Sequence, residues 1–370
     1  MFYEREKVRN LSIILFMLAL FLLFPQCSNP LDPYKNSSGN DLCYRKLIDF
    51  HWEIVLNSSA GNAIKNISNN PDGNYSPAWS PDGKSIIFRY DNPYGGNDIY
   101  LYNLSKSTLT NLTIDLPGNV SASNPRWTPD GEKIIFSYHE LGEQYCTYIM
   151  DKDGSNAKKL LDLKTDIYFY SDSYSFIYKA GEDENQTKKI IYKTNIEKTS
   201  SELIIDLINF GEEYANIYDF NPDSEEILLL LDSTPRITNI IAIYKIHSQM
   251  LDTLSVADSG YSYLRPKFSN DFSQIAFVEV NWEVDNSKIV ILEQGKEKEL
   301  VNITNDNEWI GFYPTLFSPN DEYLVYTKNI NQAGEWVNWK SYLYIVNIKT
   351  KKNTFIDEGH DCFWNPILPY

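Results

Sequence analysis

The segments Pro77-Ala78-Trp79-Ser80-Pro81-Asp82-Gly83-Lys84-Ser85-Ile86-Ile87-Phe88 and Pro125-Arg126-Trp127-Thr128-Pro129-Asp130-Gly131-Glu132-Lys133-Ile134-Ile135-Phe136 align residue for residue. Weaker copies follow around Tyr170, Phe220, Phe268, Phe317 and Trp364, so the anchor aromatics are spaced by 48, 43, 50, 48, 49 and 47 residues. A period that steady in a chain of 370 residues means a stacked or radial array, because one short unit can bury its apolar face only against its neighbours.

Each unit reads as four short strands. The anchor aromatic ends the first, and Ser-Pro-Asp-Gly is a tight turn in which Pro presets φ, Asp bonds nearby backbone amides and Gly accepts positive φ. An apolar second strand follows, such as Ile275-Ala276-Phe277-Val278, then an alternating third such as Ile99-Tyr100-Leu101-Tyr102, then a fourth such as Thr108 to Thr113. The 27 Tyr, 18 Phe and 8 Trp suit pleated, half-buried surfaces. After the N-terminal apolar run no segment keeps a helical period, so the sheets must bury one another. Radial repetition of four-stranded blades does this and leaves only short edges.

The Pro-x-Trp-Ser-Pro-Asp-Gly-Lys-x-Ile-x-Phe pattern resembles the WD40-like (PD40) β-propeller repeat of the TolB family, over residues 44–370. The resemblance implies an all-β propeller of the bacterial envelope. Relatives include TolB itself, which docks envelope proteins, and the propellers of prolyl-oligopeptidase-type enzymes. Residues 49–57 and 63–68 read as the third and fourth strands of a unit whose first strand, around Trp364, stands at the other end of the chain. Sharing that unit between the termini gives seven blades; six is the alternative.

Arg5, Lys7 and Arg9 precede an apolar run from Leu11 to Phe24, which is the n-region and h-region pattern of a secretory signal and too short for a membrane span of about 20 residues. With Cys27 directly after it and a polar, turn-rich stretch beyond, this resembles a bacterial lipoprotein signal. The resemblance implies removal of residues 1–26, acylation of Cys27, a flexible tether over 27–43 and a propeller over 44–370. Ser28 after the cysteine implies the outer membrane or the periplasmic face. Lys+Arg number 33 against 50 Asp+Glu, a formal charge of −17 that becomes −18 without residues 1–26. That sign excludes a nucleic-acid partner and any electrostatic hold on anionic lipid, leaving the lipid anchor as the membrane contact.

Cys43, Cys146 and Cys362 remain. A disulfide is allowed outside the cytoplasm, and Cys43 and Cys362 would form it at the seam between the termini; the alternative is three buried thiols. No pair has C-x-x-C spacing, which leaves zinc and redox-active chemistry without support. No Gly-x-Ser-x-Gly elbow is present, and His51, His139, His247 and His360 are scattered through different units. Asp151-Lys152-Asp153-Gly154 resembles the start of a calcium loop, but its Gly is fourth and no Glu stands twelfth, so a hairpin turn is expected. His360-Asp361 precedes a first strand and can reach the central channel. The loops between second and third strands carry Tyr94, Trp282, Trp336 and Trp339, and aromatic side chains of this kind mark contact surfaces. The expectation is a non-catalytic, envelope-tethered binder of a protein or glycan, with no cofactor and no metal. The alternative is a propeller hydrolase or lyase with its site in the channel.

Overall fold

The computed structural model describes residues 41–367 apart from 62–63, 93–94, 117–119, 141–143, 181–189, 199, 208–213, 233–238, 282, 285, 306, 312–314 and 332–338, and describes only the backbone of 120, 140, 214, 232 and 339. Cys27 and the signal segment lie outside the described residues.

Among the described residues, strands follow one another with almost no other regular structure. The first group is β1 (Leu42–Ile48), β2 (His51–Asn57) and β3 (Lys65–Asn66). Next come β4 (Asn74–Trp79), β5 (Ser85–Asp91), β6 (Asn97–Asn103) and β7 (Thr108–Asn111), then β8 (Val120–Trp127), β9 (Lys133–Glu140), β10 (Cys146–Asp151) and β11 (Lys158–Leu161). The middle of the chain forms β12 (Ile167–Phe169), β13 (Ser175–Ala180), β14 (Ile190–Asn195) and β15 (Glu202–Asp206), and β16 (Tyr214–Asn221), β17 (Glu226–Asp232), β18 (Asn239–Lys245) and β19 (Met250–Val256). The remainder comprises β20 (Tyr261–Phe268), β21 (Gln274–Asn281), β22 (Asn286–Glu293) and β23 (Lys296–Ile303), followed by β24 (Glu308–Ile310), β25 (Leu316–Phe317), β26 (Tyr323–Asn331), β27 (Trp339–Asn347), β28 (Asn353–Glu358) and β29 (His360–Trp364).

Among the described residues these pair into seven antiparallel units. Six are consecutive in sequence, with β24 and β25 together forming the inner strand of the sixth. The seventh has the order β29-β1-β2-β3, so the C-terminal strand closes a blade begun by the N-terminal ones. A single parallel bridge, Asn97 to Ser121, joins the β4–β7 and β8–β11 blades into one eight-stranded sheet.

The Ser-Pro-Asp-Gly turn is held as its sequence demands. Gly83 N–H donates to Ser80 O (2.9 Å), Ser80 Oγ donates to Asp82 Oδ1 (2.6 Å), and Lys84 N–H donates to the same carboxylate (3.1 Å). Thr128 and Asp130 repeat this pattern, as do Ser269 and Asp271. The last turn position needs a left-handed backbone: Gly83 has φ +64° and Gly131 +71°, whereas Ser173, Phe272 and Asp321 adopt +55°, +59° and +56°. Glycine reaches that region freely and the other residues at a cost of about 1–2 kcal/mol. The later copies keep the geometry without the signature residue, which is why they read weakly.

Two of those carboxylates, Asp82 and Asp271, carry a pH dependence. The hydroxyl of Ser80 holds Asp82 below the usual carboxylate range, and backbone N–H donation from Ser273 does the same for Asp271. A group whose folded pKa is depressed adds stability above its unfolded pKa, about 3.9, and loses it as pH falls through the folded value. The melting temperature should therefore drop between pH 5 and pH 3, less steeply in an Asp82→Asn, Asp271→Asn variant; an acid limb unaltered by the double change would contradict this assignment.

Each blade buries both faces, so the second strands are continuous apolar runs rather than alternating ones. Ile227 to Leu231 are all buried. Cys43, Ile54, Trp79, Ile86 and Phe88 form one interblade core, and Val278, Ile289, Phe317, Leu324 and Val346 form another. The outer strand β23 carries exposed Lys296, Glu297, Lys298 and Glu299, charges that discourage edge pairing.

Three expectations need correction. The folded region begins before residue 44, because Asp41 and Leu42 are buried and Leu42–Ile48 is the second strand of the closing blade. That strand follows its blade's inner strand across the termini rather than across a Ser-Pro-Asp-Gly turn, so it had no local signature. The anchor of the β12–β15 blade is Phe169, not Tyr170: every other locally formed anchor pairs with the residue seven positions on, and Phe169 pairs with Phe176. Cys43 and Cys362 are free, buried thiols. The residue opposite Cys43 is Phe363, so strand alternation turns Cys362 to the other face of the sheet. The Lys152–Asn156 segment is a hairpin turn between β10 and β11, with Ser155 N–H and Oγ both donating to Asp153 Oδ1.

Candidate binding site at the propeller channel

Inner strands β29, β4, β8, β12, β16 and β20 converge on the axis and end at the anchor aromatics. The tryptophan anchors are stitched in sequence around the ring. Trp79 Nε1–H donates to Phe363 O (3.3 Å), Trp127 Nε1–H to Ala78 O (3.3 Å) and Trp364 Nε1–H to Leu316 O (3.1 Å). In each case the acceptor is the residue just before the preceding blade's anchor. An indole therefore fills the wedge between two sheets and satisfies its polar edge on the neighbour's backbone. Three residues before their anchors, Ser76, Asn124, Arg265 and Asp361 all have φ near +52°, and the strand registers shift there. These bulges re-aim the last residues of each inner strand. Ser76 Oγ donates to Asn124 Oδ1 (3.3 Å) between adjacent blades.

At the anchor end a cavity of about 570 Å³ opens among five consecutive blades. Their anchors Trp364, Trp79, Trp127, Phe169 and Phe220 line it, with Phe363, Ala78, Arg126, Tyr168 and Asp219 one residue earlier and turn prolines Pro81, Pro129 and Pro366 at the rim. Its volume is that of a ligand pocket, and its walls are aromatic with few charges. Asp219 is committed to the fold: its carboxylate accepts from Lys267 Nζ (2.8 Å) and from Phe268 N–H (3.1 Å). Arg126 is not. Its bridge to Asp166 (2.8 Å) has both side chains more than half exposed, at 53% and 62%. A pair so solvated contributes at most about 1 kcal/mol, so an incoming anion can exchange with Asp166.

The opposite end of the axis holds a second constellation. Arg45 and His360 face each other across β1 and β29. The Arg45 guanidinium lies 4.8 Å from the Trp52 ring and 4.1 Å from that of Tyr75, whose other neighbour is Arg89 at 4.7 Å. Arg45 Nη1 bridges to Asp361 Oδ2 (2.9 Å), and His360 packs edge-on against Trp52. Burial alone would raise the Asp361 carboxyl, but its bonds to His360 and Arg45 hold it below the usual range. The charges are paired, Arg45 with Asp361 and Arg89 with Asp91 (2.7 Å), and the stack ties the closing blade to the next.

His360-Asp361 stands at the start of the inner strand β29 as part of this packed cluster, and neither residue lines the cavity. Tyr94, Trp282 and Trp336, and the side chain of Trp339, lie outside what is described. The closing blade carries both His51, on β2, and His360, on β29, while His139 and His247 belong to two other blades, and among the described residues no group of three or more His, Cys, Asp or Glu is arranged to hold a metal. The wall residues Arg126, Phe169, Asp219 and Phe363 were not singled out from sequence. The available signal was positional: they stand at or just before a repeat anchor.

The model for the TolB β-propeller domain (PD40) matches residues 26–213, just over half of the chain. The chain belongs to the TolB β-propeller domain family. Among solved structures, this TolB-family propeller resembles TolB from Acinetobacter baumannii at 19% identity and TM-score 0.51, covering 72% of this chain and 64% of that one. It thus spans less than two thirds of that TolB. The β-propeller domain of the Trilobed protease from Pyrococcus furiosus aligns over 88% of this chain and 94% of its own, with 16% identity and TM-score 0.61. An oligogalacturonate lyase from Vibrio parahaemolyticus aligns over 87% and 80%, with 14% identity and TM-score 0.54. These likenesses speak to fold. No curated protein matches. The Pyrococcus domain is described as an open velcro topology, whereas the TolB-family propeller here pairs β29 with β1.

Proposed function

We propose that the protein is a non-catalytic propeller of the bacterial envelope, lipid-anchored at Cys27, which holds a segment of a protein or glycan partner in the channel cavity. The observation that carries this reading is the cavity wall itself: five successive anchors, three rim prolines and one exchangeable cation. Ring faces and pyrrolidines offer contact area at little entropic cost, and Arg126 supplies an orienting charge-assisted bond. Those surfaces serve binding. Asp219, a carboxylate on the wall, is already tied to Lys267 and a backbone amide, which leaves it poorly disposed to shuttle protons.

Co-purification from native envelopes, comparing the parent with Arg126→Glu, tests the site. Arg126 is exposed, so the variant should melt like the parent while recovering at least tenfold less of any specific partner. Equal recovery would contradict a cavity-mediated contact. The anchor is tested separately by mass spectrometry of the mature protein, where a lipid-modified peptide starting at Cys27 is expected; an unmodified N-terminus further along would remove that part of the proposal.

A further inference from the structure

The turn between β1 and β2 places Asp49 and Phe50 both at positive φ, +49° and +69°, with Ile48 opposite His51. This is the geometry of a two-residue type I′ hairpin, whose second position ordinarily takes glycine because a side chain crowds the backbone there. Here that position holds a phenylalanine, 95% exposed. A bulky residue in a left-handed conformation is strained, and a bare aromatic ring in water is unfavourable; neither helps the fold. Leu47, 46% exposed, stands beside it and pairs across the hairpin with Trp52, which is anchored by His360 and Arg45. The exposed ring thus projects from a rigid base.

We infer that the Leu47–Phe50 hairpin tip is a docking wedge for a partner protein that offers an apolar pocket rimmed by Lys or Arg. The charge argues for that occupant. Asp49 is exposed at the tip, Lys46 is engaged by Asp357 at 2.7 Å, and the whole chain carries −17. An acidic knob is steered to a basic rim and is repelled by an anionic bilayer. The hairpin lies at the opposite end of the closing blade from the channel cavity, since Leu42 pairs with Trp364 and the tip is at the other end of β1. This contact therefore does not depend on the cavity reading.

The test uses the full chain in native envelopes, with a photocrosslinking amino acid at position 51, which leaves Asp49 in place, and Phe50 either intact or changed to Gly. Phe50→Gly relieves the turn, so its melting temperature should equal or exceed the parent's, which a packing role would not allow. With Phe50 intact, the adduct should be a protein peptide containing apolar residues flanked by Lys or Arg. Phe50→Gly should cut adduct yield at least tenfold. Adducts to lipid or to a second copy of this chain, no adduct, or a yield unchanged by Phe50→Gly would each overturn the inference.

Discussion

Removal of residues 359–370 is expected to abolish the cooperative fold at ambient temperature or lower its melting point by more than 15 °C. The deleted segment contains β29, the inner strand of the closing blade, which pairs with β1 through Leu42–Trp364 and Cys43–Phe363. It also supplies the carbonyl that satisfies the Trp79 indole, the Trp364 ring set against Leu316 of the previous blade, the Asn365 amide donated to Asp41 O and the Asp361 partner of Arg45. Loss of the Trp364 side chain alone corresponds to about 3–5 kcal/mol. The rest leaves Arg45 buried without its carboxylate and opens two interblade cores, so the damage spreads around the ring. Differential scanning calorimetry reads the outcome. An unchanged melt would mean that the C-terminal strand is dispensable and that the closing blade does not close the ring.

The second large effect is expected at Trp79. Its side chain is 8% exposed, belongs to the core formed with Cys43, Ile54 and Phe88, and donates to Phe363 O. Trp79→Ala should cost about 3–5 kcal/mol through lost burial and a residual cavity. Trp79→Phe keeps most of the ring and loses the hydrogen bond, so it should cost less, with about 0.5–1.5 kcal/mol from that bond. Urea titrations of the three proteins separate these contributions. A Trp79→Ala change under 1 kcal/mol would mean that the anchor packs against nothing.

Much of the fold was legible because its instructions are local. Ser80, Asp82 and Gly83 fix a turn by bonds within six residues, and the apolar strand after it must be buried on both faces. The shared blade could be anticipated from strand-like segments left over at both ends. Its second strand could not: Leu42–Ile48 pairs with β2 across a turn of Asp49 and Phe50, which lacks the usual glycine, and its other edge pairs with a strand more than 300 positions away. Tyr170 and Phe169 are adjacent aromatics, and only the ladder register tells the anchor from its neighbour. The candidate site was less readable still. Arg126 and Asp219 look like ordinary strand charges until the inner strands converge, and the Arg45–Tyr75–Arg89 stack joins side chains from two blades.

Hydrogen exchange on the complex recovered from native envelopes, compared with the free protein, tests the binding-propeller account most directly. The account predicts added protection in the peptides that wall the cavity, residues 78–81, 126–129, 167–169 and 363–366, with the outer strands β19 and β23 unchanged. Protection confined to the outer strands, with the cavity peptides exchanging as in the free protein, would contradict it.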